Sequence, residues 1–139
     1  MKRKPLIAAA LAGLFITTAP AQAADPITGR WLTQGGQAIV AIRPCGQSLC
    51  GAIERVVKAT PGAPTTDAKN PDPALRNRPY VGLNILTGFK DEGADWRGQI
   101  YDPKSGKTYR SILKAEGNKL SVKGCVAVFC RSQSWTRVR

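Results

Sequence analysis

From Gly29 to the end of the chain, apolar and polar positions alternate in short runs punctuated by Gly, Pro, Asn and Asp, which is the period of strands and not of helices. Gly29-Arg30-Trp31 opens a short first strand. Ala38 to Arg43 alternates and passes through Pro44 into Cys50 to Lys58, so these two runs form a hairpin. Val81 to Phe89 sets Leu83, Ile85, Thr87 and Phe89 on one face. Trp96 to Tyr101 follows, and Asp102-Pro103-Lys104-Ser105-Gly106 turns it into Thr108 to Ala115. Glu116-Gly117-Asn118 leads into Lys119 to Gly124, and Gln133 to Val138 is the last strand. Eight short strands joined in sequence predict an all-β fold, an eight-stranded antiparallel meander closed into a small barrel. One stretch breaks the pattern. Asp67 to Pro79 is irregular and rich in Asn, Asp, Pro and Arg, and there Asp72 as cap and Pro73 at the first helical position predict a helical turn over Asp72 to Asn77.

The first residues decide the compartment. Lys2, Arg3 and Lys4 form a positive start, Leu6 to Thr18 is apolar, and Ala21-Gln22-Ala23 ends the stretch in small residues. This is the layout of a secretory signal peptide cleaved after Ala23. The apolar run is shorter than the ~20 residues that span a bilayer, and no Cys follows for lipidation, which disfavours a membrane anchor. Residues 1–23 are thus expected to be leader and residues 24–139 a single domain in the periplasm or outside the cell, with no transmembrane segment after cleavage.

Charge narrows the partners. The chain carries 21 Lys and Arg against 9 Asp and Glu, a net +12, and loss of Lys2, Arg3 and Lys4 leaves about +9. A positive field favours anionic partners. An exported protein seldom meets nucleic acid, and the basic residues are scattered along strands without interleaved aromatics, so an envelope component or an acidic small ligand is expected before DNA or RNA. The bland alternative is that the charge keeps a small β-domain in solution.

The four cysteines form two C-x4-C pairs. Four cysteines allow three connectivities. Gly46-Gln47-Ser48-Leu49 and Val126-Ala127-Val128-Phe129 are turn-like, so each pair suits a local bridge, Cys45 to Cys50 and Cys125 to Cys130. Thiolate zinc sites usually space their paired cysteines more closely, and an oxidising compartment favours disulfides; no metal or cofactor is expected.

Several segments together resemble a known family: the opening Asp25-Pro26-Ile27-Thr28-Gly29-Arg30-Trp31, the Pro44-Cys45-Gly46 turn, Asn70-Pro71-Asp72-Pro73-Ala74-Leu75-Arg76-Asn77-Arg78-Pro79, Ile100-Tyr101-Asp102-Pro103-Lys104-Ser105-Gly106-Lys107-Thr108-Tyr109, and Ser134-Trp135-Thr136-Arg137-Val138. With the leader, they resemble the exported bacterial domain-of-unknown-function family 2147. The resemblance covers essentially the whole of the chain after the leader and implies a lipocalin-like barrel without an established reaction. Lipocalin-type barrels tend to open on Gly-x-Trp and to lay an Arg from the end of the barrel across the indole. Gly29-Arg30-Trp31 fits that pattern, with Arg137, Arg139 or Arg131 as the candidate partner of Trp31. An ordinary core Trp at a strand start is compatible with the same fold.

The binding expectation rests on the long connection before Val81, since about 20 residues without regular structure are unusual inside a compact domain and often form a lid or binding loop. Arg76 and Arg78 offer forked donors for carboxylate or phosphate, Asn70 and Asn77 offer amides, and Tyr80 an aromatic wall. Leu83, Ile85 and Phe89 would line the cavity behind them. The competing reading is a self-satisfied loop in which Asp67 and Asp72 pair with the same arginines. A binding module for a small apolar or amphipathic anionic ligand is therefore set against a protein that contacts an envelope polymer or another protein through its basic surface.

Enzymatic readings fail mostly on inventory. The chain has no histidine, which removes the usual Ser-His and Cys-His apparatus. Ser105-Gly106-Lys107-Thr108 resembles the end of a phosphate loop, but the position of the required first glycine is Tyr101 and no helix follows. Glu54, Asp95 and Asp102 lie on or beside strands, and a carboxylate hydrolase would need them to meet across the barrel.

Overall fold

The computed structural model describes residues 2–5, 10 and 12–139. Part of the apolar run Leu6 to Thr18 lies outside the described residues. The described residues form eight strands, β1 (Gly29–Leu32), β2 (Ala38–Cys45), β3 (Ser48–Val56), β4 (Asn84–Asp91), β5 (Trp96–Asp102), β6 (Lys107–Glu116), β7 (Lys119–Val126) and β8 (Phe129–Val138), with single 3-10 turns at Gln34–Gly36 and Pro73–Leu75. Each strand pairs antiparallel with the next and β8 returns to β1, closing the barrel. The expected architecture is the observed one. The helical turn also forms where expected, shortened to three residues, with the Asp72 carboxylate accepting the Ala74 N–H at 3.0 Å.

The hairpins are tighter than the sequence suggested. Cys45 pairs with Ser48 and Val126 with Phe129, so two-residue turns replace the expected four-residue ones and β8 begins at Phe129, four residues before Gln133. Disulfides join Cys45 to Cys50 and Cys125 to Cys130. Cys125 and Cys130 stand directly opposite one another, so that bridge ties the two strands just behind their turn.

Alternation in β4 departs from the sequence reading. Ile85, Leu86 and Phe89 are buried while Thr87 is exposed, because the register slips against β3 between Asn84 and Leu86 and against β5 between Thr87 and Lys90. A bulge of this kind adds a residue to one strand and reverses which face the following side chains take. Val81 and Gly82 belong to the preceding connection, not to the strand.

The interior is filled. Trp31, Trp135 and Phe89 pack with Ile27, Val40, Leu86, Leu113, Leu120 and Val122, and the partly buried Tyr80, Trp96, Ile100 and Tyr101 pack against them. Eight strands enclose room for side chains or for one small ligand, and three large aromatic residues take that room.

The seam between β1 and β8 is short, three register pairs from Arg30 with Val138 to Leu32 with Thr136. Trp31 sits within it, fully buried, its indole N–H donating to the Ile27 carbonyl at 2.8 Å. The Arg137 guanidinium lies 4.1 Å from the indole centroid and donates to the Thr28 carbonyl at 3.1 Å. Gly29 makes this stacking possible: its φ is +124°, and a Cβ there would come within 2.8 Å of the Arg137 guanidinium. Arg139 instead accepts at its carbonyl from Arg30, and Arg131 lies on the β7–β8 hairpin away from the indole.

Replacing Trp31 by Ala is expected to cost about 3–5 kcal/mol in urea unfolding, because it removes a large core side chain and the face on which Arg137 rests. A cost below about 1 kcal/mol would show that the indole does not close the barrel. Reduction of the disulfides is expected to lower Tm while leaving the β-sheet circular dichroism at room temperature, since each bridge closes a short loop and removes only about 2 kcal/mol of chain entropy from the unfolded state.

Candidate functional site

The β3–β4 connection, residues 57–83, folds around one carboxylate. Asp67 is fully buried and accepts from the Tyr101 hydroxyl at 2.5 Å, the Asn70 amide at 2.7 Å and the Arg78 guanidinium at 3.1 Å. The local sequence builds this centre. Asp67 N–H donates to the Arg78 carbonyl and Tyr80 N–H to the Thr65 carbonyl, so the loop returns on itself across a one-pair bridge between Thr66 and Pro79. Asn70 accepts the Asp72 N–H at its side chain, and its own carbonyl takes the Arg76 Nε–H at 2.8 Å. The loop then seats on the β5–β6 turn, where the Lys69 carbonyl lies over Gly106 so closely that a Cβ would collide with it.

Of the residues expected to bind a ligand, Asn70, Arg76 and Arg78 are brought together around Asp67 and the loop backbone, and not around a cavity. Asn77 is exposed and Tyr80 half-buried against the core. Leu83, Ile85 and Phe89 are core residues. Of the self-satisfied arrangement, the pairing of Asp67 with Arg78 is present, and Arg76 is held by the Asn70 carbonyl. Asp72 caps its own turn and takes no part in holding either arginine.

The electrostatics follow from this packing. Burial opposes charge on Asp67, but the hydrogen bonds from Tyr101, Asn70 and Arg78 and the charge of Arg78 outweigh it and hold the carboxyl below the usual carboxylate range. Burial, then the hydrogen bond to Asp67 and its charge, push the Tyr101 hydroxyl up to about 12. Burial and the charges of Asp67 and Asp102 also raise Tyr80.

The other carboxylates do not converge. Glu54 pairs with Arg30 at 2.6 Å, Asp95 with Arg97 at 2.8 Å, and Asp102 holds its own turn through Lys104 N–H and the Ser105 hydroxyl. Ser105-Gly106-Lys107-Thr108 is the tight turn and first residues of β6, with the Lys69 carbonyl over Gly106 where a phosphate would sit in a phosphate loop.

Open space lies elsewhere. A depression of about 520 Å³ sits between the β2–β3 turn and the β4–β5 end of the barrel, lined by Pro44, Gly46, Gln47, Leu49, Phe89, Lys90, Asp91 and Trp96. Leu49, Trp96 and Phe89 supply apolar lining and the exposed Lys90 a cation; the Cys45–Cys50 disulfide closes the turn that contributes Gly46 and Gln47. Asp91 is already engaged, its two oxygens 3.1 and 3.2 Å from the Ala24 amide nitrogen. Among these residues only Phe89 is one that the sequence marks as lining a ligand site. The rest come from strands far apart in sequence, and the spacing of apolar residues along any one strand gives no sign that they meet.

The family model described as an uncharacterized protein conserved in bacteria (DUF2147) matches residues 29–137. The chain belongs to this family. The match runs from the glycine of Gly-x-Trp to the arginine that covers the indole, so it spans the whole DUF2147 barrel. A solved structure, protein HP1028 from the human pathogen Helicobacter pylori, described as belonging to the lipocalin family, resembles this DUF2147 chain with a TM-score of 0.72 at 21% identity, over 82% of this chain and 84% of that one. At such identity the likeness carries the lipocalin-like fold. A search among curated proteins finds no match to this DUF2147 member.

Tyr101 tests the buried centre. Its folded pKa lies above the unfolded value of about 10, so its contribution is complete below that pH and is lost as pH rises toward about 12. Asp67 has the opposite sign: its folded pKa is depressed, so its contribution is present at neutral pH and lost as pH falls through the carboxylate range. Tyr101→Phe is expected to cost about 1–3 kcal/mol at pH 7 and to flatten the alkaline loss of Tm. An unchanged Tm across that alkaline window in both proteins would mean the Tyr101–Asp67 bond does not hold the loop.

Proposed function

We propose that this protein is an exported, non-catalytic binding module that takes a small amphipathic anionic ligand in the depression at the β2–β3 end of its barrel. The observation that carries the reading is the filled interior: with Trp31, Trp135 and Phe89 in the core, room for a ligand is left at the surface, and the depression lined by Leu49 and Trp96 beside Lys90 is a fitting place. Its volume falls in the range of small-ligand sites, about 300–1,000 Å³. Apolar lining and cation together select an acid with a short hydrocarbon body. The absence of histidine and the separate engagement of Glu54, Asp95 and Asp102 support a non-catalytic role.

Export is supported by the leader pattern, the two disulfides and the seating of the segment after Ala23. Leu14, Phe15 and Ile16 are exposed, whereas Ile27 is fully buried and the Asp25 carbonyl takes the Trp96 indole N–H at 2.9 Å. Cleavage after Ala23 turns the Ala24 amide into an ammonium facing both oxygens of Asp91, replacing a hydrogen bond by an ion pair. Intact-mass measurement of periplasmic protein should give a chain beginning at Ala24. A mass retaining residues 1–23 would contradict export with processing.

Titration with decanoate, followed by tryptophan fluorescence, is expected to saturate, and Lys90→Glu to weaken binding about tenfold or more while leaving Tm unchanged. Reduction of Cys45–Cys50 should weaken it too. If affinity instead follows Arg76→Ala or Arg78→Ala and ignores Lys90→Glu, the ligand belongs on the long loop. Failure of native mass spectrometry to find any small acid retained would favour the envelope-interaction reading.

A further inference from the structure

The β7–β8 hairpin does not end with the barrel wall. β8 pairs with β7 from Phe129 to Thr136, but with β1 only from Thr136 to Val138. Among the described residues no strand pairs with the other edge of β8 from Phe129 to Trp135, and only the Gln34 side chain reaches it, accepting the Ser134 N–H at 3.0 Å. The hairpin therefore projects beyond the closed seam and carries its turn, Ala127-Val128, away from the core.

That tip is apolar and held outward. Val126, Val128 and Phe129 are 61%, 86% and 79% exposed. Val126 and Phe129 are register partners with Val128 in the turn between them, so the three form one patch. The Cys125–Cys130 disulfide lies immediately behind, and Arg110 from β6 donates to the Ala127 carbonyl at 2.6 Å. Ala127 keeps a left-handed φ of 52°, which a residue with a side chain rarely adopts and which these two ties support. A clamped turn of this kind has no route for folding its apolar residues back onto the barrel.

Cations stand on both faces of the hairpin behind the patch. Arg131 shares the face of Phe129, while Lys123 and Arg110 lie on the opposite face, all three exposed. From Gly117 to Arg139 the chain carries Lys119, Lys123, Arg131, Arg137 and Arg139 and no Asp or Glu. A convex apolar tip with a basic collar suits the boundary between anionic headgroups and acyl chains: the tip leaves water and the collar meets lipid phosphate. A protein partner for three projecting side chains would need a matching pocket, whereas a bilayer accepts a protrusion of any outline.

We propose that the β7–β8 hairpin tip inserts Val126, Val128 and Phe129 into the surface of an anionic lipid bilayer, with Arg110, Lys123 and Arg131 on the headgroups. This docking is independent of the depression beside Lys90 and of any ligand there.

The test is co-sedimentation of the processed protein with vesicles of phosphatidylcholine alone or with about 30% phosphatidylglycerol, a content chosen to give a negative surface potential. Binding is expected on the anionic vesicles only. It should fall about tenfold or more in Val128→Asp/Phe129→Asp, and again in Lys123→Gln/Arg131→Gln or at ~0.5 M salt, where charge attraction is screened. Thermal melts of both variants should match the parent, since the substituted residues lie outside the core. The proposal is overturned if anionic vesicles fail to bind the parent protein, or if they bind the double aspartate variant equally well. It is also overturned if Ser132→Pro abolishes a concentration-dependent self-association that requires the same tip, which would make the free β8 edge a strand-pairing site between copies of the chain.

Discussion

A barrel of this size is closed where its first and last strands meet, and here β1 and β8 share three residue pairs. So short a ladder leaves most of the β8 edge unpaired, and what holds the strands together is the side-chain clamp across it. Trp31 fills the space behind the seam, its N–H is satisfied by Ile27, and Arg137 crosses from the opposite strand to stack on the ring and bond to Thr28. Gly29 provides the clearance. Tryptophan and arginine thus supply apolar burial, a cation–π contact and two satisfied hydrogen bonds at a place where the backbone alone offers little.

The same clamp constrains where the proposed ligand finds room. An indole large enough to close the barrel also occupies its interior, and Trp135 and Phe89 complete the filling. The long loop uses its polar groups on itself: Asp67 absorbs Tyr101, Asn70 and Arg78, and the loop settles on the β5–β6 turn through Gly106. What remains available is at the surface, in the depression beside Lys90 and on the β7–β8 tip. Both lie next to a disulfide, so the turns that shape them are fixed covalently.

Much of this was legible in the chain. The two-residue period gave eight strands in order, and Asp72-Pro73 marked the helical turn, because turn chemistry and alternation are local properties. The bulge in β4 was not legible, since Thr87 and Gly88 look like any strand residues until the register with β5 shows the slip. Nor did the arginines of the loop reveal what they bind. Arg76 and Arg78 have the same forked donors whether they meet a ligand or Asn70 and Asp67, and only the fold decides. The depression was hidden for a related reason: Pro44, Leu49, Lys90 and Trp96 become neighbours through pairing between strands, which no spacing within one strand encodes. Val126-Ala127-Val128-Phe129 was read as a turn, and its apolar character becomes a surface feature only because β8 outruns β1.

The central claim is that ligand binds outside a solid barrel. The direct measurement is a two-dimensional NMR titration of the processed protein with decanoate, following backbone amides and core methyl groups together. Shifts confined to Leu49, Lys90, Trp96 and their neighbours, with the methyls of Leu86, Leu113 and Leu120 unmoved, are the result expected. Progressive shifts of those core methyls would show the ligand entering the barrel and would contradict the account.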